Sequence, residues 1–215
     1  MKVKVCGMRD SDNIRELLAL APDFMGFIFY DKSLRFVGED LDADLLKSFP
    51  RNVKKVGVFV NASPDYILRT AKKYDLQYVQ LHGNETPDFC RNLRMRGISI
   101  IKAFSVDESF NFSMINNYKP SCDFFLFDAK GEQFGGNGVL FDWSLMNRYD
   151  NDKPFFISGG IDADSLDALD QLKNMKLYGV DVNSRVEMSP GLKDIELVKN
   201  IITGLKPIEE EETVA

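Results

Sequence analysis

The chain has 215 residues, about one and a half times the ~150 of an ordinary domain, so one large domain is expected, able to bury a core without disulfide or metal staples. Its 27 Lys and Arg against 33 Asp and Glu leave a net charge of −6, which argues against a general nucleic-acid or anionic-membrane binder. With 44% hydrophobic and 28% charged residues it is too apolar for disorder, and no apolar run approaches the ~18 residues that span a bilayer.

Short β-branched and apolar runs alternate with longer amphipathic stretches along the whole chain. Residues 3–6 read as a strand and 10–20 as a helix; 24–29 and 42–49 repeat the pair. A third strand over 55–60 is followed by a helix to residue 74, with Ser63 as N-cap and Pro64 at the first helical position. The fourth strand, 78–81, leads to the same device at Thr86 and Pro87, opening a helix to about residue 96. Strand 98–103 precedes a weaker helix around 108–117. Strand 123–127 precedes a glycine-rich loop and a helix from about Asp142. Strand 154–158 precedes a helix over 162–173 with an Asp cap, and strand 177–182 precedes a helix over 194–205. No repeated signature appears beyond this rhythm.

Eight strands alternating with eight helices imply parallel pairing through right-handed crossovers. A single-domain (β/α)₈ barrel over residues 1–206 is the expected architecture, with 207–215 an acidic, frayed tail. A doubly wound open sheet is the competitor, but the first strand runs into Cys6-Gly7-Met8-Arg9 rather than GxGxxG. The three cysteines, Cys6, Cys90 and Cys122, form no CxxC pair, and His82 is the single histidine, so no metal site is expected. The N-terminus turns polar before a signal-peptide core could form, which predicts a reduced, cytoplasmic protein.

Active sites of such barrels lie at the C-terminal ends of the strands. Cys6 ends the first strand, Gln80 and His82 the fourth, and Asp128 the sixth; Arg35 lies in the loop after the second. Gly135-Gly136-Asn137-Gly138, Gly159-Gly160 and Asn183-Ser184-Arg185 follow strands six, seven and eight. Glycine loops that feed helix N-termini let backbone amides approach an anion, so Gly136, Gly138, Gly159, Gly160, Ser184 and Arg185 are phosphate candidates. Each glycine pair also reads as a plain turn. Cys6 and Asp128 form an acid/base pair able to face each other across a bound molecule. Cys6 also reads as a small buried hydrophobe, and Asp128 as a loop or cap residue. Arg35 reads as a bidentate carboxylate ligand or a solvated loop charge, and His82 as a neutral-pH site residue or a structural one. Side-chain alternation puts Lys4 one layer below Cys6, with Asp181 as its expected partner and a tendency to favour the Cys6 thiolate.

From about Lys4 to Asp194 the chain resembles phosphoribosylanthranilate isomerases. The resemblance rests on Lys4-Val5-Cys6-Gly7, Gly26-Phe27-Ile28-Phe29, Ser33-Leu34-Arg35-Phe36-Val37, Val79-Gln80-Leu81-His82-Gly83, Asp128, Gly159-Gly160 and Val186-Glu187-Met188-Ser189-Pro190-Gly191. It implies a cofactor-free and metal-free barrel that carries out an Amadori rearrangement in tryptophan biosynthesis. Asp128 matches the general acid that opens the ribose ring, and Cys6 the base that removes the C2′ proton. Arg35 matches the residue that meets the anthranilate carboxylate, and we assign Gln80 and His82 with it to substrate binding. The expected partner is a small phosphosugar-anthranilate, not nucleic acid or membrane, with the chain a monomer or homodimer. The sequence departs from the family where Asn183-Ser184-Arg185 replaces a usual Ser-Ser-Gly run, and Leu34 stands where proline is common. Another phosphosugar barrel enzyme, such as an epimerase or synthase, is the alternative enzyme reading. A non-catalytic phosphate-ligand barrel, supported by Arg185 alone, is the third.

Overall fold

Eight parallel strands close on themselves in chain order in the computed structural model, which describes residues 1–38, 41–129 and 142–205. They are β1 (Lys2–Val5), β2 (Phe24–Ile28), β3 (Lys54–Phe59), β4 (Tyr78–Leu81), β5 (Ile100–Val106), β6 (Phe124–Ala129), β7 (Phe155–Ser158) and β8 (Leu177–Val182). The seam is shut by β1 pairing with β8 in the register Lys2↔Gly179 to Val5↔Val182. The closed sheet rules out the open doubly wound alternative.

The α-helices are α1 (Ser11–Ala19), α2 (Ala43–Lys47), α3 (Pro64–Tyr74), α4 (Pro87–Met95) and α5 (Ile195–Leu205). Their starts follow from local chemistry. Asp10, Asp42, Ser63 and Thr86 each accept backbone N–H groups of the first turn, and Pro64 and Pro87 stand at the first helical position. The helices expected after β5, β6 and β7 are instead 3₁₀ segments, Phe112–Tyr118, Trp143–Arg148 and Ala163–Leu172. Their sequences explain this: FSMINNY and ADSLDALDQL are rich in Ser, Asp and Asn, whose side chains compete for backbone hydrogen bonds.

Two apolar layers position the site. The larger lies between the sheet and the outer helices. The smaller fills the barrel: Phe24, Val56, Ile101, Ala103, Leu126 and Phe156 pack together, with Tyr78, Phe124 and Tyr178 against them. Their rings meet mostly edge-on, as in Phe24–Phe156 at 5.3 Å and 89°. This aromatic plug closes the lower barrel, so polar groups can converge only above it, at the C-terminal mouth.

One element was not foreseen. After β8, a 3₁₀ turn (Ser184–Val186) leads into a hairpin of β9 (Glu187–Ser189) and β10 (Leu192–Lys193). Its signal was the Pro190-Gly191 turn dipeptide. Two hydrogen bonds fasten it to α1: Asn13 Nδ2 donates to the Lys193 carbonyl at 2.9 Å, and the Lys193 N–H donates to Asn13 Oδ1 at 2.7 Å.

Candidate active site

Cys6 and Asp128 border one cleft at the C-terminal mouth, about 750 Å³ with its open mouth included. Cys6 lies just past β1, and Asp128 lies within β6, whose end extends further than the sequence pattern predicts. Both side chains are buried. Cys90 and Cys122, by contrast, are buried in the layer between sheet and helices.

Beneath Cys6 sits the expected ion pair, with Lys4 Nζ 2.7 Å from Asp181 Oδ1 and Lys4 wholly buried. Burial alone would push the Lys4 ammonium down; the opposing charges of Asp181 and Cys6 outweigh it and hold it above its usual value. Burial is also the largest influence on Cys6 and pushes its thiol up. Lys4 pulls it back, Asp181 adds to the rise, and Lys193 opposes it. Lys4 pulls toward the thiolate, but burial outweighs it. The same desolvation raises Asp181 against the pull of Lys4. Gly26 on β2 makes room for the thiol, since a Cβ there would lie 2.7 Å from Cys6 Sγ.

Gln80 and His82 leave β4 side by side, both buried and both on the cleft. Gln80 Nε2 lies 2.8 Å from His82 Nδ1. With the amide nitrogen as donor, Nδ1 accepts, and Nε2 is the ring nitrogen left for another partner. That Nε2 is 3.4 Å from Asp128 Oδ2 and makes no hydrogen bond, and Gln80 Oε1 is likewise buried without one. Two unsatisfied polar atoms beside the acid candidate are the pattern of a site that a polar ligand completes.

The anion candidates line the same cleft. Gly159 and Gly160 follow β7 with φ of 101° and 69°, a positive-φ pair of the kind that residues with a Cβ rarely adopt. A Cβ on Gly159 would lie 2.9 Å from the Ala129 Cβ and 3.4 Å from Asp128 Oδ1. Ser184 and Arg185 border the same cleft from the turn after β8. Arg185 is not in the left-handed region, so the backbone accepts it in place of glycine without strain, and its side chain is exposed at the rim. Gly136 and Gly138 lie outside the described residues.

Arg35 is no solvated loop charge. Its Nε donates to both oxygens of Glu187, at 2.9 and 3.0 Å, and its Nη2 donates to Oε2 at 2.7 Å. Glu187 is also gripped by Lys193, whose ammonium further donates to Asn183 Oδ1 at 2.7 Å and to the Asn183 carbonyl at 3.1 Å. Burial acts upward on Glu187, but Arg35 and Lys193 outweigh it and hold the carboxyl below its usual range. Burial pulls the Lys193 ammonium down to about 8 against the charge of Glu187. Residue-by-residue reading missed Glu187, Lys193 and Asn183, because their meeting depends on the hairpin. Their signal was two charges flanking a Pro-Gly turn at the mouth. No group of metal-ligating side chains occurs among the described residues.

Comparison with known proteins agrees with this geometry. The family profile described as N-(5'phosphoribosyl)anthranilate (PRA) isomerase matches residues 3–204. A relative from Parabacteroides distasonis named N-(5'-phosphoribosyl)anthranilate isomerase is 44% identical over 203 residues, 94% of this chain and 92% of its own. One from Phocaeicola vulgatus with the same name is 39% identical, covering 96% of this chain and 98% of its own. Among solved structures, phosphoribosyl anthranilate isomerase from Thermotoga maritima superposes with a TM-score of 0.84 at 33% identity, covering 96% of this chain and 98% of that one. Another phosphoribosyl anthranilate isomerase was solved with reduced 1-(o-carboxyphenylamino)-1-deoxyribulose 5-phosphate; it has a TM-score of 0.80 at 31% identity, covering 96% of this chain and 98% of that one. With the family profile spanning nearly the whole barrel and close relatives matched end to end, the chain belongs to the N-(5'-phosphoribosyl)anthranilate isomerase family.

Proposed function

We propose that this enzyme converts N-(5-phosphoribosyl)anthranilate to 1-(2-carboxyphenylamino)-1-deoxyribulose 5-phosphate, the isomerisation step of tryptophan biosynthesis, with Asp128 as general acid and Cys6 as general base. The observation that carries these roles is that both side chains line one cleft, which the left-handed glycines Gly159 and Gly160 line as well.

The steps follow from the chemistry. Asp128 gives its proton to the ribose ring oxygen; the C1′–O bond breaks, and the nitrogen lone pair forms a C1′=N iminium. That iminium is an electron sink, so the neighbouring C2′ proton becomes acidic. The Cys6 thiolate takes this proton, and the C2′–H electrons become the C1′=C2′ bond of an enolamine. Ketonisation places a proton on C1′ and removes one from the C2′ hydroxyl. No electrons leave the substrate. Acid and base steps typically supply ~10²–10⁴-fold each.

The remaining residues bind and orient. The Gly159-Gly160 amides with Ser184 and Arg185 hold the phosphate, with Gly136 and Gly138 assigned to the same cradle from the sequence pattern. Arg35 meets the anthranilate carboxylate. Gln80 and His82 offer their unsatisfied Oε1 and Nε2 atoms to the sugar. Grip on the remote phosphate fixes the sugar between acid and base. The expected assembly is a monomer or homodimer; the Thermotoga maritima isomerase is described as dimeric in the structure of monomers generated from it. Among the described residues no helix is long and apolar enough to cross a membrane.

Expression in a tryptophan auxotroph lacking this isomerase tests the reading. The wild-type gene restores growth without tryptophan, and genes carrying Cys6→Ala or Asp128→Asn do not. Growth restored equally by either variant, at matched soluble protein, would remove that residue from the mechanism.

A further inference from the structure

A guanidinium carries five N–H donors in a rigid plane, arranged as two edges that each suit a carboxylate. Glu187 occupies one edge of Arg35, the one formed by Nε and Nη2. The other edge, Nη1 with the second Nη2 hydrogen, has no partner among the described residues. Arg35 borders the cleft, and 13% of its side chain stays open. Glu187 thus fixes the plane of Arg35 and leaves its end-on edge for a second carboxylate.

Charge counting shows what this arrangement lacks. Arg35 and Glu187 alone cancel, and a neutral pair attracts an incoming carboxylate weakly. Lys193 supplies the missing charge. It is wholly buried, its Nζ donates to Oε1 of Glu187 while Nη2 of Arg35 donates to Oε2, and its remaining donors are spent on Asn183. The hairpin does not need this ammonium for anchorage, because the Lys193 backbone already makes both bonds to Asn13. Burying a lysine is costly, and an apolar residue of the same length would pack as well.

We propose that Lys193 is a positioning residue for substrate binding: it is the second cation of a carboxylate receptor in which Arg35 is shared between Glu187 and the anthranilate carboxylate, so that two cations meet two anions only when substrate is bound. This rests on the reading of Arg35 as the carboxylate ligand. Lys193 touches no substrate and acts through Glu187. The device adds selectivity for an aromatic carboxylate over the same phosphosugar without one.

The test compares two ligands on each folded variant by calorimetry: the reduced product analogue, and its counterpart with a plain phenyl ring. Wild-type protein prefers the carboxylated ligand. Lys193→Met and Lys193→Gln are each expected to shrink that preference by on the order of tenfold, while affinity for the phenyl ligand stays within about twofold. Lys193→Gln keeps hydrogen bonding but not charge, so a preference retained by it, or by Lys193→Met, overturns the proposal. Arg35→Met separates the two claims. Loss of preference there, with both Lys193 variants unaffected, leaves the Arg35 reading standing and sinks the role of Lys193. An intact preference in Arg35→Met sinks the Arg35 reading and this proposal with it.

Discussion

A thiol can act as a base only when ionised, yet burial holds that of Cys6 above its usual value. Lys4 and Lys193 are the cations that oppose burial. Lys4→Met is expected to move the pH profile of Cys6 alkylation further upward; a profile identical to wild type would show that Lys4 is structural only. Lys193 gives a second signature. It faces Glu187, Asn183, Cys6 and Arg35, and its depressed value means that it sheds its proton as pH rises through about 8. Preference for a carboxylated ligand should therefore fade above that pH in wild type and stay level in Lys193→Gln. Gly26 offers a steric test, because Gly26→Ala places a methyl 2.7 Å from Sγ. We expect kcat to fall while KM, set at the phosphate and carboxylate ends, changes little. At this scale Cys6, Asp128, Gln80, His82 and Arg35 were legible because each stands at a strand end or in the loop beyond it. Glu187 and Lys193 were not, since only a turn between them brings both to Arg35.

Strands were the most legible elements. Their apolar, β-branched runs face neighbours on both sides and leave little choice of conformation, and β4 and β8 match the expected bounds. The helices after β3 and β4 were legible from caps and proline, and the one after β1 from its amphipathic pattern. Those after β5, β6 and β7 were misjudged in type, because hydrophobic spacing survives in a 3₁₀ segment while the hydrogen-bond pattern does not. The β7 loop carries a prediction at this scale. Gly159→Ala forces a left-handed φ of 101° on a Cβ residue and presses it against Ala129. A stability loss of about 1–3 kcal/mol is expected from such strain, with a rise in KM exceeding the fall in kcat. Unchanged KM for the phosphorylated substrate would place the phosphate elsewhere.

The whole molecule depends on a seam. β1 and β8 are farthest apart in sequence, and Lys4 faces Asp181 across their junction. Removing one partner strands a buried charge, so Lys4→Met alone should cost about 3–5 kcal/mol in chemical denaturation. The double replacement with Asp181→Leu should cost clearly less than the sum of the single changes. Simple additivity would mean that the pair is not coupled. Barrel closure was legible from the count of alternating elements and the absence of a dinucleotide turn after β1, and the Lys4–Asp181 pairing from side-chain alternation alone. The closing hairpin was not, because it adds no βα unit and its fastening runs through Asn13, far away in sequence. The central claim is that a thiol and a carboxyl act on one sugar. Its most direct measurement is the initial rate at which purified protein abolishes the fluorescence of freshly prepared N-(5-phosphoribosyl)anthranilate. Rapid loss with wild type, and rates lowered by at least ~10²-fold in folded Cys6→Ala and Asp128→Asn, are the predicted result; wild-type rates in either variant would contradict it.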